Sequence, residues 1–181
     1  MLLLPRTSNE VFKDSETAKS VELKPFDLYL DAQYGYFFNN GFSDAIYDPV
    51  TYQNEQAHSS VFRRHLDQVL DICKQNFTTE SNLVEIGCGK GTFLEILGQN
   101  GFLKLRGFDR AYQGQDLRIV RDYLSDRFAP LLADGVILRH VLEHIPNPVS
   151  FLESVARVNG RPLKFLIEVP SMDWNVRSKA Y

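Results

Sequence analysis

The sequence predicts an α/β protein, a parallel sheet layered between helices (three layers, αβα), with a small aromatic-rich segment ahead of it. Three observations predict this. The run Gly87-Cys88-Gly89-Lys90-Gly91 joins an apolar, strand-like stretch to a helix-like one. Around it, short apolar runs alternate with stretches of helical period, which implies parallel strands joined by right-handed crossovers. The 181 residues, 44% hydrophobic and 24% charged, suit one soluble domain with a small appendage.

Residues 1–25 are polar and aperiodic, so a loosely held tail is expected. Residues 26–52 carry nine of the chain's 22 aromatics: Phe26, Tyr29, Tyr34, Tyr36, Phe37, Phe38, Phe42, Tyr47 and Tyr52. Gly35, Asn39-Asn40-Gly41 and Asp48-Pro49 supply turn chemistry between them. That density of rings fits a packed hairpin or cap; it equally describes an aromatic lid over a ligand cleft. From Ser59, Val61, Phe62, His65, Leu66, Val69, Leu70, Ile72 and Cys73 recur at spacings of three and four, the stripe of an amphipathic helix. Asn82–Ile86 reads as a short buried strand and Thr92–Gln99 as a helix closed by Asn100-Gly101. Leu103–Phe108 and Leu117–Tyr123 read as second and third strands. Gly135–His140 reads as a fourth, apolar enough to be covered on both faces. Pro148–Val158 is a helix with Asn147 as N-cap and Pro148 at its first position, and Lys164–Val169 is a fifth strand. The expected boundaries are 1–55 for tail and cap and 56–181 for the α/β domain.

Composition also excludes. With 20 Lys+Arg against 23 Asp+Glu there is no basic cluster of the kind nucleic acid requires. No run approaches the roughly 20 apolar residues of a membrane span. The apolar start, Met1–Leu4, stops at Pro5-Arg6, short of a signal-peptide core. Cys73 and Cys88 are too far apart to suggest a disulfide framework or a zinc cluster. A cytoplasmic protein is expected.

Glycines at a strand-to-helix turn let backbone lie against a ligand, and N–H groups at the helix start favour a negative group. Eighteen residues past Gly91, Asp109 ends the second strand, where an acid accepts hydrogen bonds from ribose hydroxyls. An adenosine-type cofactor across the strand ends is therefore expected. The spacing G-x-G-x-G differs from the nicotinamide fingerprint G-x-G-x-x-G/A, whose third glycine would fall on Thr92. Glu85, two residues before Gly87, would repel a pyrophosphate but suits a ligand with a cationic amino-acid end. S-adenosylmethionine has one.

On these residues the chain resembles class I S-adenosylmethionine-dependent methyltransferases: the glycine loop is similar to their first motif and Asp109 to their ribose acid. The stretch Leu138-Arg139-His140-Val141-Leu142-Glu143-His144-Ile145-Pro146-Asn147-Pro148 is similar to the segment that passes beside the donor. Gln56-Ala57-His58-Ser59, Glu168-Val169-Pro170 and Trp174 resemble the sugar C-methyltransferase-like subgroup. The resemblance implies a Rossmann-like sheet, S-adenosylmethionine as cofactor, and a small-molecule acceptor, a sugar or nucleotide-sugar derivative. It places Glu85, Gly87, Cys88, Gly89, Gly91 and Asp109 at the donor and lets Gln56 and His58 line its pocket, although capping of the next helix is the plainer reading of the last two. Asp122 stands where the fold meets the adenine; a solvated turn acid is the alternative.

His140 sits where the fourth strand should end, at the edge where open α/β sheets bind ligands. It is the candidate catalytic base, or a contact to the donor's methionine part, or simply a hydrogen-bonded strand-end histidine. Arg139 could meet the donor or an acidic acceptor, or pair with Glu143. His140-Val141-Leu142-Glu143-His144 also matches the H-x-x-E-H pattern of zinc peptidases, but a strand end and Pro146 deny it the helix that pattern needs. Glu143 and His144 are expected to cap the turn into the next helix, and no metal is expected.

Two departures from the family stand out. Leu30–Asn39 is similar to the end of a zinc knuckle, but Asp31 and Tyr34 replace the C-x-x-C thiolates, which implies a zinc-free remnant. The family sheet has seven strands and only five are legible here; Ser171–Tyr181 is too short for a helix and a closing hairpin, and the subgroup's Tyr-Glu-His segment is absent. A shortened methyltransferase is expected, its fifth strand a bare edge that invites a second copy or a partner subunit. The competing reading is a non-catalytic module that binds S-adenosylmethionine or a partner.

Overall fold

The computed structural model describes residues 2–5, 13–39 and 59–178. The chain divides into two compact units, Glu55–Pro170 and a smaller one of Met1–Asn54 with Ser171–Tyr181.

In the smaller unit β1 (Leu2–Pro5), α1 (Ser15–Lys19) and β2 (Leu23–Phe26) come first. β1 pairs antiparallel with β2, Leu2 opposite Phe26 and Pro5 opposite Leu23. The expected loose tail is thus corrected: its apolar start is a strand whose partner lies some twenty residues on, a pairing no local periodicity announces. Asp14 caps α1, its carboxylate accepting from Thr17 N at 2.8 Å. β3 (Leu28–Leu30) and β4 (Phe37–Asn39) form a hairpin, Leu30 opposite Phe37. Asp31 builds its turn: Oδ1 accepts from the N–H groups of Gln33 and Tyr34, both at 2.9 Å. The Tyr29 and Phe38 rings lie 6.0 Å apart across the pair. Residues 40–52, the rest of the aromatic segment, lie outside the described residues. α5 (Met172–Ser178) belongs to this unit.

The larger unit contains α2 (Ser60–Asn76), β5 (Asn82–Ile86), α3 (Thr92–Gln99), β6 (Lys104–Phe108), β7 (Ile119–Val120), β8 (Gly135–Arg139), α4 (Pro148–Asn159) and β9 (Lys164–Glu168). The five strands run parallel in the order β7-β6-β5-β8-β9, with β5 at the centre. The third strand is only two residues long, against the seven expected. Successive side chains of a strand face opposite ways, and the two faces are filled accordingly. Leu83 and Ile137 pack with Leu66, Val69, Leu70 and Cys73 of α2 and Phe93 and Leu97 of α3. Val84, Ile86, Val136 and Leu138 pack on the other face with Val155 of α4. Three layers result, as the alternation of elements predicts. Two members of the α2 stripe, Val61 and Ile72, are exposed, because the buried arc of this helix is narrower than the apolar one.

Asn147 occupies the N-cap position of α4, but its backbone carbonyl, not its side chain, receives Phe151 N. At the other end Asn159, fully buried, ties the helix to the sheet: its Oδ1 accepts from Ala133 N at 2.7 Å, and its Nδ2 donates to the carbonyls of Ala133 and Arg161. Asn159→Leu strands these backbone groups without partners, so a loss of about 2–3 kcal/mol is expected, read by urea unfolding.

Candidate functional site

The carboxyl ends of β5, β6 and β8 carry charged residues that the sequence singles out, Glu85, Asp109 and Arg139, and the end of β9 adds Glu168. Glu85, Arg139 and Glu168 follow Leu83, Ile137 and Leu166 by two residues, so the period of the strand places all three on the α2–α3 face of the sheet. Arg139 and Glu168 are direct neighbours in the β8–β9 register. A strip of charge therefore closes an otherwise apolar layer at the end where open α/β sheets bind ligands.

The glycine loop leaves β5 through Gly87, at φ +71, where a Cβ would meet Val141 Cγ2 at 2.4 Å. It re-enters a helix through Gly91, the N-cap of α3, at φ +82. Gly87 N donates to Phe108 O at 2.7 Å, tying the loop to the end of β6. Asp109 completes the clamp: Oδ2 accepts from Gly89 N and Oδ1 from Ala111 N, each at 2.8 Å. The loop's anion is in part its own aspartate. Burial raises the Asp109 carboxyl above its usual range, against the pull of these two N–H groups. Each of its oxygens keeps lone-pair capacity for a hydroxyl. Cys88 contributes main chain only, since its side chain is buried with Leu94, Tyr112 and Ile119 and burial pushes its thiol up.

Glu85 is 3% exposed and its Oε2 has no hydrogen-bond partner, the one such buried side-chain atom among the described residues. Its nearest cation, Arg139 NH1, stands 3.9 Å from Oε1. Burial outweighs that guanidinium and raises the carboxyl to about 8. A buried carboxylate oxygen with no donor is costly unless something arrives to meet it.

Arg139 is itself almost buried. Its Nε donates to Glu168 Oε2 at 2.9 Å, and the guanidinium lies over the Phe93 ring at 4.8 Å. Of the two neighbouring acids Arg139 takes Glu168 and not Glu143, because a strand-end side chain reaches the adjacent strand more readily than the turn that follows it. Glu168 gathers a further pair, His65 Nε2 at 2.5 Å and His140 Nε2 at 2.9 Å, both on Oε1. Burial opposes its ionisation, but His140, Arg139 and His65 together hold it down at about 2.

His140 follows the last residue of β8 at φ +53, a left-handed conformation uncommon for a residue with a Cβ. Its Nδ1 faces Glu143 at 3.5 Å and its Nε2 faces Glu168. With a carboxylate on each ring nitrogen, first Glu143 and then Glu168, the imidazole is raised to about 9. Glu143 thus turns back to His140 instead of forward to cap α4, and it also lies 4.0 Å from His144 Nε2. Burial lowers His144.

Asp122 is held by others: Tyr123 N donates to its Oδ1 at 2.7 Å, and Arg127 forms an ion pair with it. Gln56 and His58 lie outside the described residues. Two residues of the cluster escape sequence reasoning as site residues. Glu168 is visible there only as part of a resembling tripeptide, and His65 only as one position of an amphipathic stripe.

No helix of the described residues is long and apolar enough to cross a membrane. A family model for a methyltransferase domain matches residues 50–180, most of the chain and all of its parallel sheet. No curated protein matches the chain. The central strand, glycine loop and terminal aspartate thus fall inside one recognised unit, and the chain belongs to the methyltransferase domain family.

Proposed function

We propose that the chain binds S-adenosylmethionine at the carboxyl ends of β5 and β6 and methylates a small molecule, a sugar or nucleotide-sugar derivative. The observation that carries this reading is Glu85 Oε2, buried at the glycine turn with no donor of its own. Such an oxygen fits an ammonium, whose charge balances the one the carboxyl gains as it gives up its proton. Glu85 would hold the amino-acid end of the donor, the backbone of Gly87–Gly91 its flank, and Asp109 the ribose hydroxyls. The chemistry the donor supplies, when bound, is an electrophilic methyl group on a sulfonium.

The protein's share is placement and electrostatics. His140 holds its proton at neutral pH, with one ring N–H toward Glu143 and the other toward Glu168, so it offers positive charge beside the acceptor instead of a base. Its half-exposed ring can reach an incoming molecule while Glu143 and Glu168 fix the plane. The acceptor class rests on the resemblance of Gln56–Ser59 and Glu168–Pro170 to sugar C-methyltransferases. Incubating the full chain with S-adenosylmethionine and a panel of sugars and nucleotide sugars tests the reading by mass spectrometry. A product heavier by one methylene, with S-adenosylhomocysteine formed in equal amount, is expected. Donor binding without transfer to any acceptor would overturn the catalytic reading and leave an adenosyl-binding module.

A further inference from the structure

Two carboxylates at the ends of β5 and β9 share one guanidinium, and they share it unequally. Arg139 Nε donates to Glu168 at 2.9 Å, whereas Arg139 NH1 stands 3.9 Å from Glu85. The first contact is a charge-assisted hydrogen bond; the second is too long to be one. Glu168 is anchored well enough to keep its share. Its backbone carbonyl accepts from His140 N at 2.9 Å, and its Oε1 meets both His65 and His140. The Phe93 ring lies against the guanidinium, its centroid 4.8 Å from the central carbon. Glu85 is left with a bare oxygen although a full positive charge lies only one shell away.

We propose that Glu168 is a positioning residue that, by holding Arg139, keeps the Glu85 carboxylate open for the cationic amino-acid end of an adenosyl ligand. The inference rests on the adenosyl-binding reading above. Without a charge at position 168, Glu85 is the carboxylate that remains beside the guanidinium. Arg139 then closes on it, since a buried cation seeks a paired anion. An ammonium arriving at Glu85 must displace that guanidinium and binds more weakly. The nucleoside part of the ligand, held elsewhere, is unaffected.

Calorimetric titration of the full chain with two compounds separates these parts. S-adenosylhomocysteine carries the amino-acid end; methylthioadenosine has the same nucleoside and thioether without it. Glu168→Gln is expected to weaken S-adenosylhomocysteine roughly tenfold or more and to leave methylthioadenosine unchanged, which also shows that the variant is folded. Adding Arg139→Gln removes the competing cation and is expected to restore most of the lost affinity. Unchanged S-adenosylhomocysteine binding in Glu168→Gln, equal weakening of both compounds, or no recovery in the double variant overturns the proposal. A wild-type chain that binds neither compound overturns the adenosyl-binding reading itself.

Discussion

Glu85→Gln is expected to weaken S-adenosylhomocysteine roughly a hundredfold, the loss of a charge-assisted contact made in a buried site. The same substitution changes stability in a way that identifies its cause. The folded carboxyl sits near 8, above its ordinary value of 4.5. Between those values the folded chain keeps a proton that the unfolded chain has released, so stability falls as pH rises through that window. Glutamine has no proton to keep, and this decline disappears. His140 works in the same direction over a different range: its contribution is complete below its ordinary 6.5 and is lost as pH rises through about 9. Between about pH 5 and 6.5 His140 adds little slope, and His144, lowered by burial, and Asp109, raised by it, contribute alike in both chains, so the difference between wild type and variant reports Glu85. Across that interval, in urea titrations at fixed pH, the stability of the wild type should fall relative to that of Glu85→Gln. The expected variant is weaker in binding and, above neutrality, more resistant to unfolding.

Gly87→Ala is expected to cost roughly 2–5 kcal/mol, from two sources that can be separated. The backbone there is left-handed, at φ +71, and an added Cβ lies 2.4 Å from Val141 Cγ2. Neither strain is relieved by moving a flexible tip, because Val141 is a short branched side chain beside His140 that packs, partly buried, against the cluster containing Val136 and Leu138 of β8. Trimming the obstacle with Val141→Ala should recover the steric share of the loss and not the conformational share. Thermal unfolding of the two single variants and the double measures both. An alanine tolerated at less than about 1 kcal/mol would mean that the loop is not held as described.

The parallel sheet was legible because each of its elements announces itself locally. Asn82–Ile86 is bounded by Ser81 and Gly87, Thr92–Gln99 by Gly91 and Asn100-Gly101, and the structure keeps those bounds. Ile119–Val120 shrank because the flanking Asp116 and Asp122 make turns, Arg118 N donating to Asp116 and Tyr123 N to Asp122. β1 was hidden because its partner β2 comes after an intervening helix, and only the pairing gives a four-residue apolar run its meaning. At the site, the glycine loop and Asp109 could be read from spacing, since their chemistry is local to one strand–turn–helix unit. The Glu168 cluster could not. His65 and Glu168 are 103 residues apart in the chain and meet only when β9 docks beside β8. The partner of Arg139 lies open in the sequence for the same reason: proximity offers Glu143 as one alternative, whereas strand register supplies Glu168.

One buried carboxylate is expected to receive the positive end of the ligand, and proton release on binding reads this out. Calorimetry of the wild-type chain with S-adenosylhomocysteine near pH 6.5, repeated in buffers of different ionisation enthalpy, counts protons released on binding. An ammonium settling on Glu85 should expel the proton it holds, so tight binding with release of about one proton is expected, both lost in Glu85→Gln. Binding with no proton released and with equal affinity in that variant would contradict it, as would a chain silent to S-adenosylhomocysteine but responsive to NADH.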